Sequence, residues 1–578
     1  MFFPDTSQDN YSVFGYLFAA LIRVWGLDLA TAIGLGLGHV AWLAALSFAA
    51  WRLVDSPWRW MAVALVALYP SFYDGPHRSI AYAESFLTAR LWAEPFALAG
   101  VAALLARQWY LASLSLAAAT LIHPIIALPG LMVATYFLLP ARISAWFTLS
   151  GVALLAGIAI ALGDRQSAFS VMDVDWYVLC RERSPLVFLS NWTWTDFNEP
   201  AFLAASIHAA TSSRSLGLKR LGRALLATLL VGFAAAAIAS QWPITLLLQM
   251  QTWRVWWLVK VLGLILVVEW IRRTWEDGRN GKLLACGILA GLTVVESAGI
   301  VAAAALVIAT MIIGRDRRFE LPVSVRALAW MSVGLILWEW LWVKVLALVL
   351  TTQGLIANAS NTRLTATAWL GGLDDWFRLA GIAALVLALA RPVRRRRAAG
   401  IVAILAGGIS LAAGLAIWDR TNWGALRSSL TPAVPDELAA LAEPATNQIY
   451  LEGGHTMLWL RLHRASYGSN QQAAGVIFSR EGAFEARRRL LHITLINGAD
   501  GYFARHPEHA QTPARRASAD AVRHVCHASA LAYIILARPA QALTEDGRFA
   551  MQFGGATRYI YDCRRIRQAT TDPYPSLP

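Results

Sequence analysis

The sequence predicts a polytopic α-helical membrane protein of about 12–14 spans with a C-terminal soluble α/β domain. Apolar residues make up 57% of the 578 residues and charged residues only 15%, whereas soluble domains average about 45–50% and 25%. Apolar runs such as 327–350 and 401–418 approach or exceed the ~18–20 residues that a bilayer-spanning helix needs. The 26 tryptophans recur near the ends of these runs, where indole rings prefer the headgroup level of a membrane.

Three regions follow along the chain. Residues 1–30 are predicted to form an external N-terminal loop and an amphipathic helix, and residues 31–418 to form the transmembrane domain, with an external loop at 163–195. Residues 419–578 are predicted to form a periplasmic α/β domain. No cleavable signal peptide is visible at the start, because residues 2–10 are polar rather than led by Lys or Arg.

Two apolar runs, 110–139 and 283–313, are too long for one ordinary span. Each has a polar interruption near its middle, His123-Pro124 in the first and Glu296-Ser297 in the second. Each run therefore predicts a tight pair of short helices that turns near the outer face. The other spans are predicted at 31–53, 58–72, 86–106, 144–162, 196–211, 224–239, 245–270, 327–350, 377–390 and 399–418.

The net charge of +14 is concentrated in loops between apolar runs, which argues against a nucleic-acid partner. Basic residues in short loops mark the cytoplasmic side of a membrane. With the spans above, all four basic clusters fall inside and the C-terminal domain falls outside. Removing the weak span 196–211 would invert the topology of everything before or after it. The clusters are 214–223, 272–282, 315–318 and 391–397.

The C-terminal domain shows short β-type runs and helical runs after a Pro-rich linker. Its two cysteines, Cys526 and Cys563, could pair in an oxidising periplasm, although spacing alone does not give the geometry. Of the other two, Cys180 lies in the external loop and Cys286 in a span. The β-type runs are 447–451, 532–537 and 557–562, and the helical runs are 479–491 and 517–526.

Ionisable residues inside the hydrocarbon region are costly, so each is a candidate for function. Arg90 and Glu94 lie four residues apart in TARLWAEP, where they can pair on one helix face, for function or merely to hold two helices together. His123 lies at the turn of the first helix pair, where it is a candidate ligand or simply a hydrogen-bonding residue. Glu296 lies at the turn of the second pair.

Arg254 lies in QMQTWRVWW, near the outer start of its predicted span. A guanidinium flanked by amides and indoles suits a phosphate or pyrophosphate. Snorkelling of this side chain toward lipid headgroups explains the pattern equally well.

External segments supply further polar candidates. Asp5 and Asp9 precede the amphipathic stretch, and the loop 71–84 carries Asp74, His77, Arg78 and Glu84. Carboxylates at a membrane rim can act as general bases or metal ligands, whereas solvated loop charges are the ordinary alternative. The sequence contains no nucleotide-binding glycine loop, no zincin helix and no CxxC pair. No metal site is predicted, although a divalent cation remains compatible with the carboxylates.

The order of these features resembles the N-terminal half of GT-C membrane glycosyltransferases, in particular the bacterial relatives of protein O-mannosyltransferases and lipid A aminoarabinose transferases. The resemblance rests on YPSFYDG, SFLTARLWAEP and ATLIHPIIALPG and covers about 160 residues. It implies a polyprenyl-phosphate sugar donor, a periplasmic domain and an acidic base in the first external loop, here Asp5 or Asp9. Arg90, Glu94 and His123 match polar positions of the family. The transmembrane helix that precedes this loop in the family is missing at the start of this sequence.

The resulting hypothesis is a glycosyltransferase of the bacterial inner membrane. It would move a sugar from the polyprenyl-phosphate donor to a glycan, lipid or protein acceptor at the periplasmic face, with Asp9 or Asp5 as base and Arg254 as the phosphate ligand. One alternative is a polysaccharide ligase or polymerase. The other is a lipid or glycan transporter, for which Lys260, Glu339 and Lys344 would carry charge deeper into the membrane.

Overall fold

The computed structural model describes residues 12–139, 170–357 and 436–569, with gaps inside these ranges, the longest at 498–516. The chain forms two compact units. The first, called here the helical unit, comprises residues 11–171 and 186–416, and the second, the α/β unit, comprises residues 1–10, 172–185 and 417–578. The predictions for the spans 144–162, 377–390 and 399–418, and for Asp5 and Asp9, lie outside the described residues.

The helical unit consists of helices joined by short loops, and no β-sheet occurs in the parts of it that the structure describes. Its described helices are α1 (Phe14–Leu53), α2 (Arg59–Leu68), α3 (Ala89–Leu105), α4 (Trp109–Ile122), α5 (Pro124–Leu138), α7 (Asn198–Thr211), α8 (Leu216–Gln241), α9 (Thr245–Met250), α10 (Trp256–Glu276), α11 (Gly278–Thr293), α12 (Val295–Arg315) and α13 (Val323–Ala357). Helix α6 (Val174–Arg183) belongs to the α/β unit.

Helix α1 contains both the amphipathic stretch and the first predicted span. The two parts are separated at Gly26, whose φ of 73° and ψ of 167° interrupt the helix. A positive φ suits glycine because it has no Cβ. The start of α1 is tied to the turn between α4 and α5, since the Val13 amide donates to the Leu121 carbonyl at 3.0 Å and the Ser12 hydroxyl donates to the Ile122 carbonyl at 2.6 Å.

Both predicted helix pairs are confirmed. The first pair, α4 and α5, separates at His123, because Pro124 cannot continue the preceding helix. The second pair, α11 and α12, separates at Val294, just before the predicted Glu296-Ser297 interruption.

Two other span predictions are wrong in their extent. Helix α2 has 10 residues and ends at Leu68, because Pro70 disfavours helical backbone at the preceding Tyr69. The predicted span 245–270 is divided into α9 and α10 by Gln251, a non-glycine residue with a left-handed φ of 45°.

Helix α10 lies at the centre of the helical unit. Every side chain from Trp256 to Ile271 is buried, so this apolar run packs against other helices on all sides. Trp257 illustrates the packing: its ring is fully buried and its Nε1 donates to the carbonyl of Ile126 at 3.2 Å.

Among the described residues, two helical segments are long and apolar enough to cross a membrane, Leu29–Leu53 and Leu216–Gln241. Four shorter apolar helices accompany them, at 14–27, 109–122, 124–138 and 295–310. The described part of the chain is therefore mostly helical with a small C-terminal sheet, and by length and composition two of its segments are consistent with a membrane location.

The α/β unit contains a four-stranded sheet of order β1-β2-β4-β3. β1 and β2 are parallel, whereas β4 pairs antiparallel with both β2 and β3. Every residue of β2 is buried, as expected for a central strand covered on both faces. The strands are β1 (Gln448–Leu451), β2 (Leu531–Leu536), β3 (Arg548–Phe553) and β4 (Ala556–Asp562); the helices are α14 (Asp436–Leu441), α15 (Arg480–Asn497), α16 (Ala519–Ala528) and α17 (Cys563–Ala569).

Three of these strands and the helices α15 and α16 match the predicted runs, whereas β3 was not predicted. Cys526 at the end of α16 and Cys563 at the start of α17 form a disulfide, with their Cα atoms 4.9 Å apart. This distance is within the usual range for a bridge. The bond joins two helices that flank the strands β2 to β4.

Helix α6, from the predicted external loop, packs on α15 within the α/β unit. The Trp176 indole donates to the Val476 carbonyl at 2.8 Å, and Asp173 forms an ion pair with Arg480 at 2.6 Å. Cys180 is fully buried in the same place. Because α6 and the C-terminal residues fold as one unit, any membrane topology must place both on the same side.

Candidate functional site

The loop between α2 and α3 folds into a small hairpin that positions Asp74. The Tyr73 amide donates to the Ile80 carbonyl at 3.0 Å. The Oδ2 of Asp74 accepts from the Ser79 amide at 2.8 Å, the Ser79 hydroxyl at 2.5 Å and the Ile80 amide at 3.0 Å. Asp74 is fully buried, and its Oδ1 has no hydrogen-bond partner. One oxygen therefore closes the hairpin, and the other is buried without a hydrogen-bond partner.

Gly75 brings this hairpin against Trp192. Its φ is +60°, and a Cβ added there would lie 2.6 Å from the Trp192 ring. Any other residue at this position would therefore displace the hairpin or the indole. His77 ends the short 3-10 helix that begins at Gly75.

Arg90 pairs with Glu84 rather than with Glu94, so the predicted Arg90–Glu94 pair is wrong. Its Nε lies 3.0 Å from Oε2 of Glu84, and its second nitrogen lies 2.6 Å from Oε1. The loop preceding α3 turns back over the first turn of the helix, which brings Glu84 within reach of the Arg90 side chain. Glu94 is fully buried and accepts a hydrogen bond from the Ala83 amide at 2.8 Å. Both carboxylates therefore hold the same loop to α3.

His123 caps the N-terminus of α5. Its Nδ1 accepts from the Ile126 amide at 3.4 Å, as expected for a side chain that satisfies a free helix donor. The interpretation of His123 as a hydrogen-bonding residue therefore fits the geometry. His123 also lies within electrostatic range of both Arg254 and Arg90.

Arg254 is buried, with only 7% of its surface exposed, and its guanidinium forms no ion pair in the described part of the chain. Its charge interacts with those of Arg90, Glu84 and Asp74. The Cζ atom lies 5.5 Å from the centre of the Trp253 ring. Burial among protein groups does not match the alternative of snorkelling toward headgroups, which would leave the guanidinium at the surface.

The segment Gln251–Arg254 carries four consecutive side chains with an unpaired buried polar atom. These atoms are Oε1 of Gln251, Oγ1 of Thr252, Nε1 of Trp253 and Nε of Arg254. Leaving a buried polar atom without a partner costs about 1–3 kcal/mol. The left-handed backbone of Gln251 adds a rare conformation for a residue other than glycine. Such a segment fits a polar ligand that supplies the missing partners.

Glu296 lies near a second group of charges. Its own carbonyl accepts from the Asn198 side-chain amide at 3.1 Å. Its side chain is exposed, and its charge acts on Glu199 and Tyr69.

The structure thus brings together most of the predicted substrate-binding residues. Arg254 interacts with Asp74 and Arg90, Arg90 interacts with Glu94, and His123 interacts with both arginines. Glu296 belongs to the group around Glu199, and the catalytic candidates Asp5 and Asp9 lie outside the described residues.

Two residues of this region were not predicted as ligands: Tyr73 and Trp192. Tyr73 is visible in the sequence only as a member of the loop 71–84, whereas Glu84 is one of the candidate carboxylates of that loop. Nothing in the sequence around Trp192 distinguishes it from the other 25 tryptophans.

No metal centre is formed by the residues that the structure describes, because no group of three or more His, Cys, Asp or Glu side chains there could hold an ion. Comparison with family models, curated proteins and solved structures found no match to this chain.

Proposed function

We propose that this protein is a multi-pass glycosyltransferase of the bacterial inner membrane. It takes a sugar from a polyprenyl-phosphate donor and transfers it to a glycan, lipid or protein acceptor at the periplasmic face. The observation that carries this proposal is the buried guanidinium of Arg254, which has no ion pair and lies beside unpaired polar atoms. A buried cation without a protein counter-ion favours an anionic ligand.

Exposed apolar side chains support the membrane location. Helix α13 has 35 residues and is about 52 Å long, which exceeds the ~30 Å hydrocarbon core of a bilayer. Contiguous apolar exposure of this kind is rare on soluble monomers. The exposed residues of this helix include Leu328, Trp330, Met331, Leu335, Trp338 and Trp342.

The charge balance around Arg254 favours a phosphodiester over a diphosphate. Arg90 is already paired with Glu84, so Arg254 is the cation of this group without a partner. Asp74 and Glu84 add negative charge to this group, so a sugar–phosphate–polyprenol, which carries a single negative charge, is repelled less than a more highly charged ligand. A diphosphate-linked donor, which the ligase or polymerase hypothesis would use, carries additional negative charge and would meet Asp74 and Glu84 as well.

The transfer step assigns a role to each group. The acceptor hydroxyl attacks the anomeric carbon, the bond from that carbon to the phosphate oxygen breaks, and the phosphate leaves with the electron pair. The hydroxyl proton passes to a carboxylate, for which the family resemblance favours Asp5 or Asp9. Arg254 stabilises the charge that develops on the leaving phosphate.

The transporter hypothesis gains no support from Lys260. Its Nζ is bound by Glu199 at 2.9 Å and by the Phe72 carbonyl at 2.7 Å, so its charge is already compensated within the protein. Glu339 is an exposed residue of α13, so it does not form a buried charged site with Lys260.

The test is transfer by the purified protein in lipid nanodiscs, with polyprenyl monophosphate sugars and polyprenyl diphosphate sugars as parallel donors. Arg254→Gln should reduce transfer about 10²–10³-fold, the usual effect of removing one donor to a developing oxyanion. Asp5→Asn and Asp9→Asn identify the base, with an expected loss of about 10²–10⁴-fold for the right residue.

Arg220→Gln is the control, because Arg220 is an exposed arginine of α8, and it should leave transfer unchanged. Full transfer by Arg254→Gln, or transfer from diphosphate donors alone, would contradict the proposal.

A further inference from the structure

Three aromatic side chains from separate segments meet beside Arg254. Tyr73 comes from the hairpin between α2 and α3, Trp192 from the segment that precedes α7, and Trp253 from the turn between α9 and α10. The ring centroids of Tyr73 and Trp253 are 6.2 Å apart, as are those of Trp192 and Trp253. All three side chains are buried.

Each of these three side chains has a polar atom without a hydrogen-bond partner: Oη of Tyr73, Nε1 of Trp192 and Nε1 of Trp253. Some other indoles of the helical unit find partners, whereas that of Trp270 does not. Trp92 donates to the Gly34 carbonyl at 2.9 Å, and Trp257 donates to the Ile126 carbonyl. Three unpaired atoms on three neighbouring rings therefore mark a place where the fold leaves hydrogen bonds to be made.

The chemistry of these atoms selects the ligand. An indole N–H can only donate, a guanidinium can only donate, and a phenol can donate. A partner that satisfies Trp192, Trp253 and Arg254 together must therefore offer several acceptor oxygens close to one another. A phosphate group offers such oxygens without donors of its own, whereas each sugar hydroxyl carries a donor that the two indoles and the guanidinium cannot accept.

We propose that Trp192, Trp253 and Tyr73 bind the phosphate oxygens of the lipid donor together with Arg254. This inference rests on the proposed function. It means that the hydrogen-bond donors to the phosphate are mainly neutral groups, with Arg254 as the one cation. Neutral N–H and O–H groups add hydrogen bonds without adding positive charge, so the site keeps its preference for one negative charge. Gly75 serves this subsite because its missing side chain lets the hairpin approach the Trp192 indole.

The test measures binding of a polyprenyl phosphate methyl ester, a phosphodiester with the single negative charge of the proposed donor, to the full-length protein in nanodiscs. The matching polyprenol is the probe that lacks the phosphate. The variants Tyr73→Phe, Trp192→Phe and Trp253→Phe keep an aromatic ring and remove the donor. Trp270→Phe is the matched control, because Trp270 is a buried indole of α10 whose Nε1 also lacks a partner.

Each of the three variants should weaken binding of the phosphate probe about 10- to 100-fold, the loss expected for one hydrogen bond to a charged group. Polyprenol binding and the Trp270→Phe control should not change. Wild-type affinity of all three variants would overturn the inference, and so would an equal loss for polyprenol, which would show that the rings contact the hydrocarbon chain.

The outcome for Arg254→Gln separates the two proposals. If this variant loses phosphate binding while the three aromatic variants retain it, only the aromatic subsite is rejected. If the wild-type protein binds this phosphodiester no better than polyprenol, the proposed function fails together with the inference.

Discussion

The Nζ of Lys260 lies 2.9 Å from Oε1 of Glu199, and the side chains of both residues are largely buried. The same Nζ donates to the Phe72 carbonyl at 2.7 Å. Lys260 of the central helix α10 therefore holds two other segments. One is the hairpin that carries Tyr73 and Asp74, and the other is α7, which carries Glu199. The hairpin depends on this contact because it has few backbone hydrogen bonds of its own.

Removing one partner of this pair should destabilise the protein more than removing both. Lys260→Met leaves the Glu199 carboxylate buried without a counter-ion, which typically costs about 3–5 kcal/mol. The double variant Lys260→Met, Glu199→Gln should recover much of this loss, because a neutral pair needs no compensation. Thermal unfolding in nanodiscs measures the difference. Equal Tm values for the single and double variants would show that the pair contributes little.

A double-mutant cycle distinguishes the two carboxylates near Arg90. Arg90→Met and Glu84→Gln should show a coupling energy in the range of about 0.5–3 kcal/mol, because these side chains make two direct contacts. The matched cycle of Arg90→Met with Glu94→Gln should show a smaller coupling, since Glu94 accepts from the Ala83 amide instead. A larger coupling in the second cycle would restore the Arg90–Glu94 pair that the sequence suggests.

Thiol labelling tests the disulfide and the side of the membrane together. The chain has four cysteines, of which Cys180 and Cys286 are free. Protein purified from cells with an oxidising periplasm should bind two maleimide groups when it is denatured without a reductant. It should bind four when it is denatured and reduced, and mass spectrometry counts the groups. Four groups without reduction would contradict an oxidising location of Cys526 and Cys563.

A reporter that is active only outside the cytoplasm tests the topology directly. Fused after Pro578, it should be active, because the basic clusters place the C-terminal domain at the periplasmic face. The same reporter inserted within residues 316–320, one of the basic loops, is the internal control and should be inactive. An inactive C-terminal fusion at normal expression would reject the predicted orientation.

The α/β unit should lose stability in mild acid through His492. Burial, helped by the positive charge of Arg488, lowers the pKa of His492 to about 4, and its Nδ1 contacts the Tyr467 hydroxyl at 2.6 Å. In the unfolded chain the His492 imidazole binds a proton near pH 6.5, whereas in the folded unit it does not. Stability is therefore full above about pH 6.5 and decreases as the pH falls toward 4, by about 3 kcal/mol.

Cys180 is buried in the same unit, so its thiol reacts only when the unit unfolds. The rate of its labelling therefore reports the loss of stability in the full-length protein. The ratio of the rates in wild type and His492→Gln cancels the pH dependence of the thiol reaction. This ratio should rise as the pH falls from 6.5 to 4.5. A constant ratio would show that His492 titrates normally.

Local signals in the sequence were enough for the helix pairs and for most of the C-terminal elements. Pro124 forces a break wherever it occurs in a helical run, so the turn at His123 could be predicted. The alternating or continuous apolar patterns of β1, β2 and β4 likewise allowed these strands to be predicted. β3 was missed because Arg548 and Gln552 interrupt its apolar pattern, and its pairing with β4 is what makes it a strand.

The contacts of the candidate site could not be predicted in the same way. The break at Gln251 has no glycine or proline beside it and is imposed by tertiary packing. Helical spacing favoured Glu94 as the partner of Arg90, but a loop residue, Glu84, reaches the guanidinium first. Trp192 meets Trp253 across 61 residues of chain, and a single sequence carries no signal for such a contact.

Helix α6 also determines the order in which the protein can be completed. Its Trp176 makes its hydrogen bond to Val476, 300 residues later in the chain. At a synthesis rate of roughly 5–20 residues per second, α6 emerges about 15–60 s before its partner exists. During that time the face formed by Trp176, Leu179 and Cys180 has nothing to cover it. A chain that ends before Val476 lacks the partner of Trp176 and cannot cover this face in the same way.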